Sequence, residues 1–434
     1  MKQEKNNKKQ APGLELLSPA GNMLKLKTAF AYGADAVYLG VPDFSLRVRI
    51  NDFDLAGIKD GILYARERGK RVYLTVNIFA HNKHLPALIK FLKKIEKFLP
   101  DAFIASDPGI ISLLQEYYPQ VEIHLSTQAN CTNLEAARFW QKQGVTRIVL
   151  GREVSLKEIK KIHQALPDLE LEYFAHGAMC MAYSGRCFLS SLFVGRSANL
   201  GDCAQPCRWQ YDVNHYRIKA RGHEPELELV EEKHGAYLLN SLDLCLVRQI
   251  PDLIKAGVVS FKIEGRAKSV YYQAVVTAVY KRALEIAQSK LSGAKKEKEL
   301  QFLYKELETK LVHRGYTSGF LEKEKAGQNV KDAKKKSNYE FCGQVLADLS
   351  VVDRKKLPKG AVAFKVHNTL KQGDDVEIVL PGYKVLKIKI DCLYDFVSGE
   401  KLTEAHGGGG SKEVFILIKD SLVPPYSVLR RKLK

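Results

Sequence analysis

Along residues 13–290, short apolar runs alternate with amphipathic stretches. The runs occupy positions 14–17, 36–39, 72–78, 102–105, 121–125, 147–150, 169–174 and 259–263. Between most of them apolar residues recur at helical spacing, as at 23–32, 85–98, 134–143 and 156–166. Brief buried strands separated by helices give right-handed βαβ units and a parallel sheet. The fold class is therefore α/β. Eight such units predict a closed (β/α)8, TIM-like barrel over 13–290 rather than an open sheet.

The rhythm breaks once, with more than 80 residues separating the seventh run from the eighth. This Cys-rich insertion after strand 7, taken as 177–240, falls where βα loops of a barrel carry function. A helix is expected at 271–288, then a Lys/Glu-rich stretch at 290–310 and a polar run ending in Lys334, Lys335 and Lys336. Residues 291–338 thus read as a helical, basic linker. From 339 onward, short alternating strands are punctuated by PKG, QGDD, PGY and HGGGG. Those turn residues predict a small all-β, barrel-like domain over 339–434. Residues 1–12 read as a disordered basic tail, and no apolar segment follows that would make them a secretory signal. No stretch approaches the roughly 18 uncharged apolar residues of a membrane span.

A chain with 45% hydrophobic and 27% charged residues is not disordered, collagen-like or a coiled coil. Its 68 Lys and Arg against 49 Asp and Glu leave a net charge of +19, spread over both parts of the chain. Such an excess points to a polyanionic partner, with RNA, DNA and an anionic membrane surface as candidates. Eight cysteines without an export signal do not suggest a disulfide framework. They suggest reduced thiols in the cytoplasm, available for metal or redox chemistry.

Four of the cysteines are gathered as C-x6-C-x15-C-x3-C: Cys180, Cys187, Cys203 and Cys207. Four thiolates so close in sequence suit one metal centre, Zn2+ or an iron–sulfur cluster. Zinc favours paired C-x2–4-C knuckles, which only Cys203 and Cys207 approach. A cubane accepts wider, irregular spacing because its ligated irons are themselves apart. Spacing alone leaves the two metals open. The bland alternative is four buried small hydrophobes. Cys245 is a core residue on its context, or else a fifth or substitute ligand. Cys131, Cys342 and Cys392 lie in separate elements and read as core.

Catalytic groups of a barrel sit at the carboxyl ends of its strands. Those positions hold Ser18, Gly21, Asn77, Asp107, Ser126, Gln128, Asn130, Arg152, Glu153, His176, Lys262, Glu264 and Arg266. Ser18-Pro-Ala-Gly and Asp107-Pro-Gly have ordinary turn explanations. Alternation puts Lys262 and Glu264 on one side of their strand, either in an internal ion pair or facing a ligand. Arg152, Lys262 and Arg266 are the candidates for holding a small anion. His176, Glu264 and Arg266 are the catalytic candidates, with His176 a proton donor near the cysteines. No Gly-x-Ser-x-Gly, His-Glu-x-x-His or P-loop occurs, so ordinary hydrolase and nucleotide-binding signatures are missing.

The segment from Glu172 to Ser190, with Gly177, Cys180, Gly185, Cys187 and Ser190, resembles the signature of the collagenase-like peptidase family, U32. The resemblance extends to Glu15-Leu-Leu-Ser-Pro-Ala-Gly-Asn, Gly33-Ala-Asp-Ala-Val-Tyr-Leu-Gly and Phe44-Ser-Leu-Arg47. Ser126-Thr-Gln, Arg152-Glu-Val-Ser, Asn240-Ser-Leu-Asp-Leu and Lys262-Ile-Glu-Gly-Arg are similar too. Cys203-x3-Cys207-Arg-Trp and the C-terminal part look most like the family's bacterial tRNA hydroxylation branch. That likeness implies oxygen-independent 5-hydroxylation of the wobble uridine of tRNA, with prephenate as oxygen donor. It also implies a 4Fe–4S cluster on Cys180, Cys187, Cys203 and Cys207, with Zn2+ as the alternative metal. Tyr183 or Tyr211 would stack on the target base. Some relatives work in pairs, so a paralogous or identical subunit is a further expectation, and a membrane is not. Two other readings stand beside this one: a peptidase acting on collagen-like or unfolded chains, and a non-catalytic, zinc-stabilised RNA-binding protein.

Overall fold

The computed structural model describes residues 13–46, 52–180, 182, 186–209, 240–322, 337–347, 357–408, 413–418 and 423–433. The expected tail 1–12, Tyr183, Gly185, Tyr211 and Lys334–Lys336 lie outside the described residues.

Eight parallel strands close into a barrel. They are β1 (Glu15–Pro19), β2 (Ala36–Gly40), β3 (Arg71–Val76), β4 (Ala102–Ala105), β5 (Glu122–Leu125), β6 (Arg147–Val149), β7 (Glu170–Ala178) and, after an intervening β8 (Asp243–Cys245), β9 (Val258–Ile263). Neighbours pair in chain order, and β9 pairs with both β7 and β1, which closes the ring. The outer helices are α1 (Met23–Ala31), α2 (Leu55–Arg66), α3 (Leu85–Ile95), α4 (Pro108–Tyr117), α5 (Leu134–Lys142) and α6 (Leu156–Ala165). After the short α7 (Leu189–Val194) of the insertion come α8 (Ile250–Lys255) and α9 (Val270–Gln288).

The local chemistry explains where these helices start. Asn22, Asp54, Asp107, Asn133, Ser155 and Ser269 each accept a hydrogen bond from a backbone N–H of the first turn. Each satisfies a donor the helix cannot satisfy itself. Asp107, a strand-end candidate in the sequence, is thus a cap. Ser18 is likewise structural, since its Oγ lies 2.9 Å from Thr277 Oγ1 and accepts from Gln273 Nε2 at 3.0 Å.

The barrel interior is only partly apolar. Leu17, Ala36, Tyr38, Tyr73, Ala102 and Ile104 form one buried cluster inside it. Around them runs an ionic network that the apolar strand pattern did not announce. Arg147 donates to Glu15 at 2.5 Å, Lys262 donates to Glu172 at 2.6 Å, and Ser260 Oγ donates to Glu15 at 2.8 Å and to Glu172 at 3.2 Å. The signal was present as polar residues two apart within strands, Glu170/Glu172 and Ser260/Lys262, which a period of two turns to one face.

The stretch expected as a linker contains α10 (Gly293–Lys310), which buries Leu300, Leu303 and Leu307. It leads to β10 (Tyr316–Thr317), which pairs with β8. The C-terminal part is all-β. Its strands are β11 (Tyr339–Val345), β12 (Ala361–Val366), β13 (Leu370–Lys371), β14 (Asp375–Leu380), β15 (Lys384–Lys389), β16 (Leu393–Asp395), β17 (Lys401–Leu402), β18 (Glu404–Ala405), β19 (Glu413–Leu417) and β20 (Val428–Lys432). Eight of them form an antiparallel sheet in the order β15-β14-β20-β11-β12-β19-β16-β17, and β13 pairs with β18. Among the described residues no pairing joins β15 to β17. Alternation along the sequence predicts strands such as these, but not which of them meet.

Candidate functional site

The carboxyl ends of the barrel strands and the Cys-rich insertion enclose one cavity of about 250 Å³. The barrel contributes Tyr38, Thr75, Asn77, Ser126, Gln128, Arg152, Phe174, Lys262, Glu264 and Arg266. The insertion roofs it with Cys180, Cys187, Arg196, Asp202, Cys203, Cys207 and Arg208. The fold therefore brings the four clustered cysteines, a spread of 28 residues in sequence, to the same space as the strand-end cations.

The thiols are free, with Cys180 and Cys203 exposed and Cys187 and Cys207 half-buried. Burial pushes the Cys207 thiol up, Arg208 pulls it back, and the neighbouring Cys180 and Cys203 push it further. Backbone groups steady the sulfur positions. The N–H of Gln205 donates to Cys203 Sγ at 3.3 Å, and the N–H of Cys187 donates to Asn199 Oδ1 at 3.2 Å. Ser190 Oγ accepts from the N–H of Ala204 at 2.9 Å, tying α7 to the Cys203 turn. Among the described residues no three His, Cys, Asp or Glu side chains are grouped as a single metal ion requires. Four thiols lining one cavity are the donor set that either a zinc ion or a 4Fe–4S cluster takes.

The cations differ in how they are held. Lys262 is buried against Glu172, 2.6 Å away; burial lowers its pKa and Glu172 offsets part of that. Its ammonium also lies 4.6 Å from the Tyr38 ring centre. Arg266 donates to the Leu46 carbonyl and, at 3.5 Å, to Thr75 Oγ1. Arg152 lies over the Phe174 ring, 4.1 Å from its centre, and its buried Nε has no hydrogen-bond partner. Both geometric readings of Lys262 thus coexist, since it is in an internal ion pair and also lines the cavity. Glu264 lines the cavity as well, and its Oε2 accepts from the N–H of Ala178 at 3.3 Å.

His176 needs correction, because it does not line the cavity. The β7–β9 register shifts between Phe174 and His176, and a bulge of this kind re-aims the next side chain. The imidazole instead sits among Tyr272, Tyr280 and Tyr316, with ring centres 5.4–5.8 Å away. Burial lowers its pKa to about 3, so it stays neutral. Cys245 pairs with it across β7 and β8 and is buried, its thiol pushed up to about 11. It belongs to the core, as do buried Cys131 and Cys342, whereas Cys392 is half-buried. Glu153 borders a separate surface recess beside Lys157 and Lys160. Sequence reasoning missed Arg196, Asp202 and Arg208, whose only signal was their position near the cysteines. No histidine is among the lining residues described.

The profile of peptidase family U32 matches residues 21–331. The chain belongs to this family. It is 37% identical to tRNA hydroxylation protein P of Escherichia coli over 91% of the chain and 99% of that protein. It is 34% identical to the Escherichia coli 23S rRNA 5-hydroxycytidine C2501 synthase, covering 85% of the chain and 52% of that protein. A collagenase of Porphyromonas gingivalis is 32% identical over 96% of the chain and 97% of its own length. No helix among the described residues of this U32 member is long and apolar enough to cross a membrane.

Proposed function

We propose that this U32 member hydroxylates tRNA at C5 of the wobble uridine, without molecular oxygen. In this reading Cys180, Cys187, Cys203 and Cys207 hold a 4Fe–4S cluster and prephenate donates the oxygen. The observation that carries it is the meeting of four thiols and five cationic side chains in one roofed cavity at the barrel mouth. Relatives named for RNA hydroxylation support the reaction class.

The cluster, when bound, supplies one-electron redox capacity beside the substrate. Everything else falls to the chain. Arg152, Lys262 and Arg266 give a dicarboxylate its counter-charges, and Tyr38 and Phe174 give its carbon skeleton an apolar wall. Lys262, Arg266 and Arg152 are themselves buried, which strengthens those charge pairs. The target base must leave its stack to reach the cavity. Its C5–H is exchanged for C5–OH while the donor exchanges its C–OH for C–H, so atoms and electrons balance between the two substrates. Glu264, on the cavity wall, is the group placed to carry a proton between the two substrates. The positive surface holds the RNA phosphates.

Two measurements test this. Protein purified without oxygen should contain iron and acid-labile sulfide in equal amounts, and lose both in Cys203→Ser; one zinc and no iron would overturn it. Mass spectrometry of tRNA from a strain lacking the gene and any paralogue should show loss of 5-hydroxyuridine-derived nucleosides, and their persistence rejects the reaction.

A further inference from the structure

The insertion carries an exposed apolar face that the cavity chemistry does not use. Phe188 is 76% and Leu192 78% exposed, and Phe193 is 50% exposed. Phe188 precedes α7 and Leu192 lies four residues on, where the Leu192 N–H donates to the Phe188 carbonyl at 2.9 Å. The two side chains therefore share one helical face. Phe193 sits edge-on to Trp209, ring centres 6.1 Å apart. Among the described residues no side chain covers Phe188 or Leu192, and apolar surface of this kind marks a binding face.

Its surroundings say what kind of partner. Cys187 and Leu189, on either side of Phe188, line the cavity, as do Arg196 and Arg208. The face is therefore the rim of the same opening. Three arginines, Arg186, Arg196 and Arg208, stand beside it in sequence and one aspartate, Asp202, which pairs with Arg196 at 2.7 Å. Arg186 is exposed, with its guanidinium 6.0 Å from the Phe79 ring centre. Aromatic surface interleaved with guanidinium groups is what unpaired nucleotides use, stacking their bases while their phosphates meet the cations. A strand that delivers one base into the cavity must lay its neighbouring nucleotides across this rim.

We infer that Phe188, with Leu192 and Phe193 beside it, is a stacking platform for an unpaired nucleotide next to the target base. The inference rests on the RNA reading above and names the segment of RNA it needs: a single-stranded loop, not a duplex. A protein-docking face would accept any apolar side chain at 188, whereas a base-stacking one requires an aromatic ring.

The test uses the full chain with its metal and a synthetic tRNA anticodon stem-loop. Phe188→Leu should weaken stem-loop binding roughly tenfold or more, the worth of one base–aromatic stack. Phe188→Trp should bind as the parent does, and its added indole emission should be quenched by the stem-loop but not by a fully paired duplex. Equal affinity of Phe188→Leu and parent, or no quenching of the added indole in Phe188→Trp, overturns the inference while leaving hydroxylation intact. A parent chain that self-associates and becomes monomeric in Phe188→Ser/Leu192→Ser also overturns it, assigning the face to a second copy. A parent that binds no stem-loop and leaves tRNA unmodified overturns the functional reading along with it.

Discussion

Single residues inside this barrel are held by charge balance. Burial alone would raise the Glu15 carboxyl, but Arg147 and Arg71 and hydrogen bonds from Tyr73 and Ser260 hold it near 2. Glu172 is lowered in the same way, against burial, by Lys262 and Arg147. Removing one partner of a buried pair strands the other, so Glu172→Gln should cost about 3–5 kcal/mol in urea unfolding. Glu172→Leu with Lys262→Met should recover much of that, because Arg147 keeps Glu15 and Glu170. His176 gives a pH effect with a definite sign. Its pKa is about 3 folded against 6.5 in the absence of the fold, so between those values the unfolded chain binds a proton that the native chain refuses. Stability is fully present above pH 6.5 and falls as pH drops toward 3, by up to about 1.4 kcal/mol per pH unit. Glu15 adds to the fall only below about pH 4.5, as protons compete for a carboxylate whose folded pKa is about 2. His176→Phe should therefore flatten the stability curve between about pH 6 and pH 5 by roughly one proton's slope, measured by chemical denaturation. The buried, pKa-lowered His124 should leave a residual slope.

At the scale of elements, the site depends on how the ends of β7 and β9 touch. Gly177 has φ +120°, and a Cβ there would lie 2.7 Å from Glu264 Cβ and 2.8 Å from its carbonyl oxygen. Gly177→Ala should destabilise by about 2 kcal/mol or more and displace Glu264 from the cavity wall, read as lost stability together with lost hydroxylation. The bulge just before it is the other decisive detail, since it keeps Phe174 inside and sends His176 outside. The barrel itself was legible as eight apolar runs, because a parallel strand covered on both faces must be apolar. The bulge was not legible. It depends on the pairing partner of β7, and a strand's own residues do not carry that information.

Across the whole molecule, the C-terminal sheet is keyed onto the barrel's helices by buried polar contacts. Tyr32 of the α1–β2 turn donates to the Val379 carbonyl at 2.6 Å and accepts from the Val428 N–H at 3.1 Å. Arg430 of β20, fully buried, pairs with Glu306 of α10 at 3.0 Å and with Glu377 at 2.7 Å. Arg430→Met should leave those carboxylates short of a counter-charge and cost about 3–5 kcal/mol, detected as earlier thermal unfolding and as proteolysis between the two parts. The net charge of +19 acts at this scale as well. Stem-loop affinity should fall linearly with salt on a double-logarithmic plot, with a slope of about −0.7 to −0.9 for each phosphate contacted.

Periodicity, composition and the spacing of thiols determined the barrel, the all-β tail, the cationic character and the candidate ligand quartet, since these are local or additive properties of the chain. Closure of the eight strands put Arg152, Lys262, Glu264 and Arg266 under the cysteine roof, and long-range pairing removed His176 and Cys245 from it. Which side chains share a cavity depends on register between segments far apart in sequence, and only the folded chain sets that register.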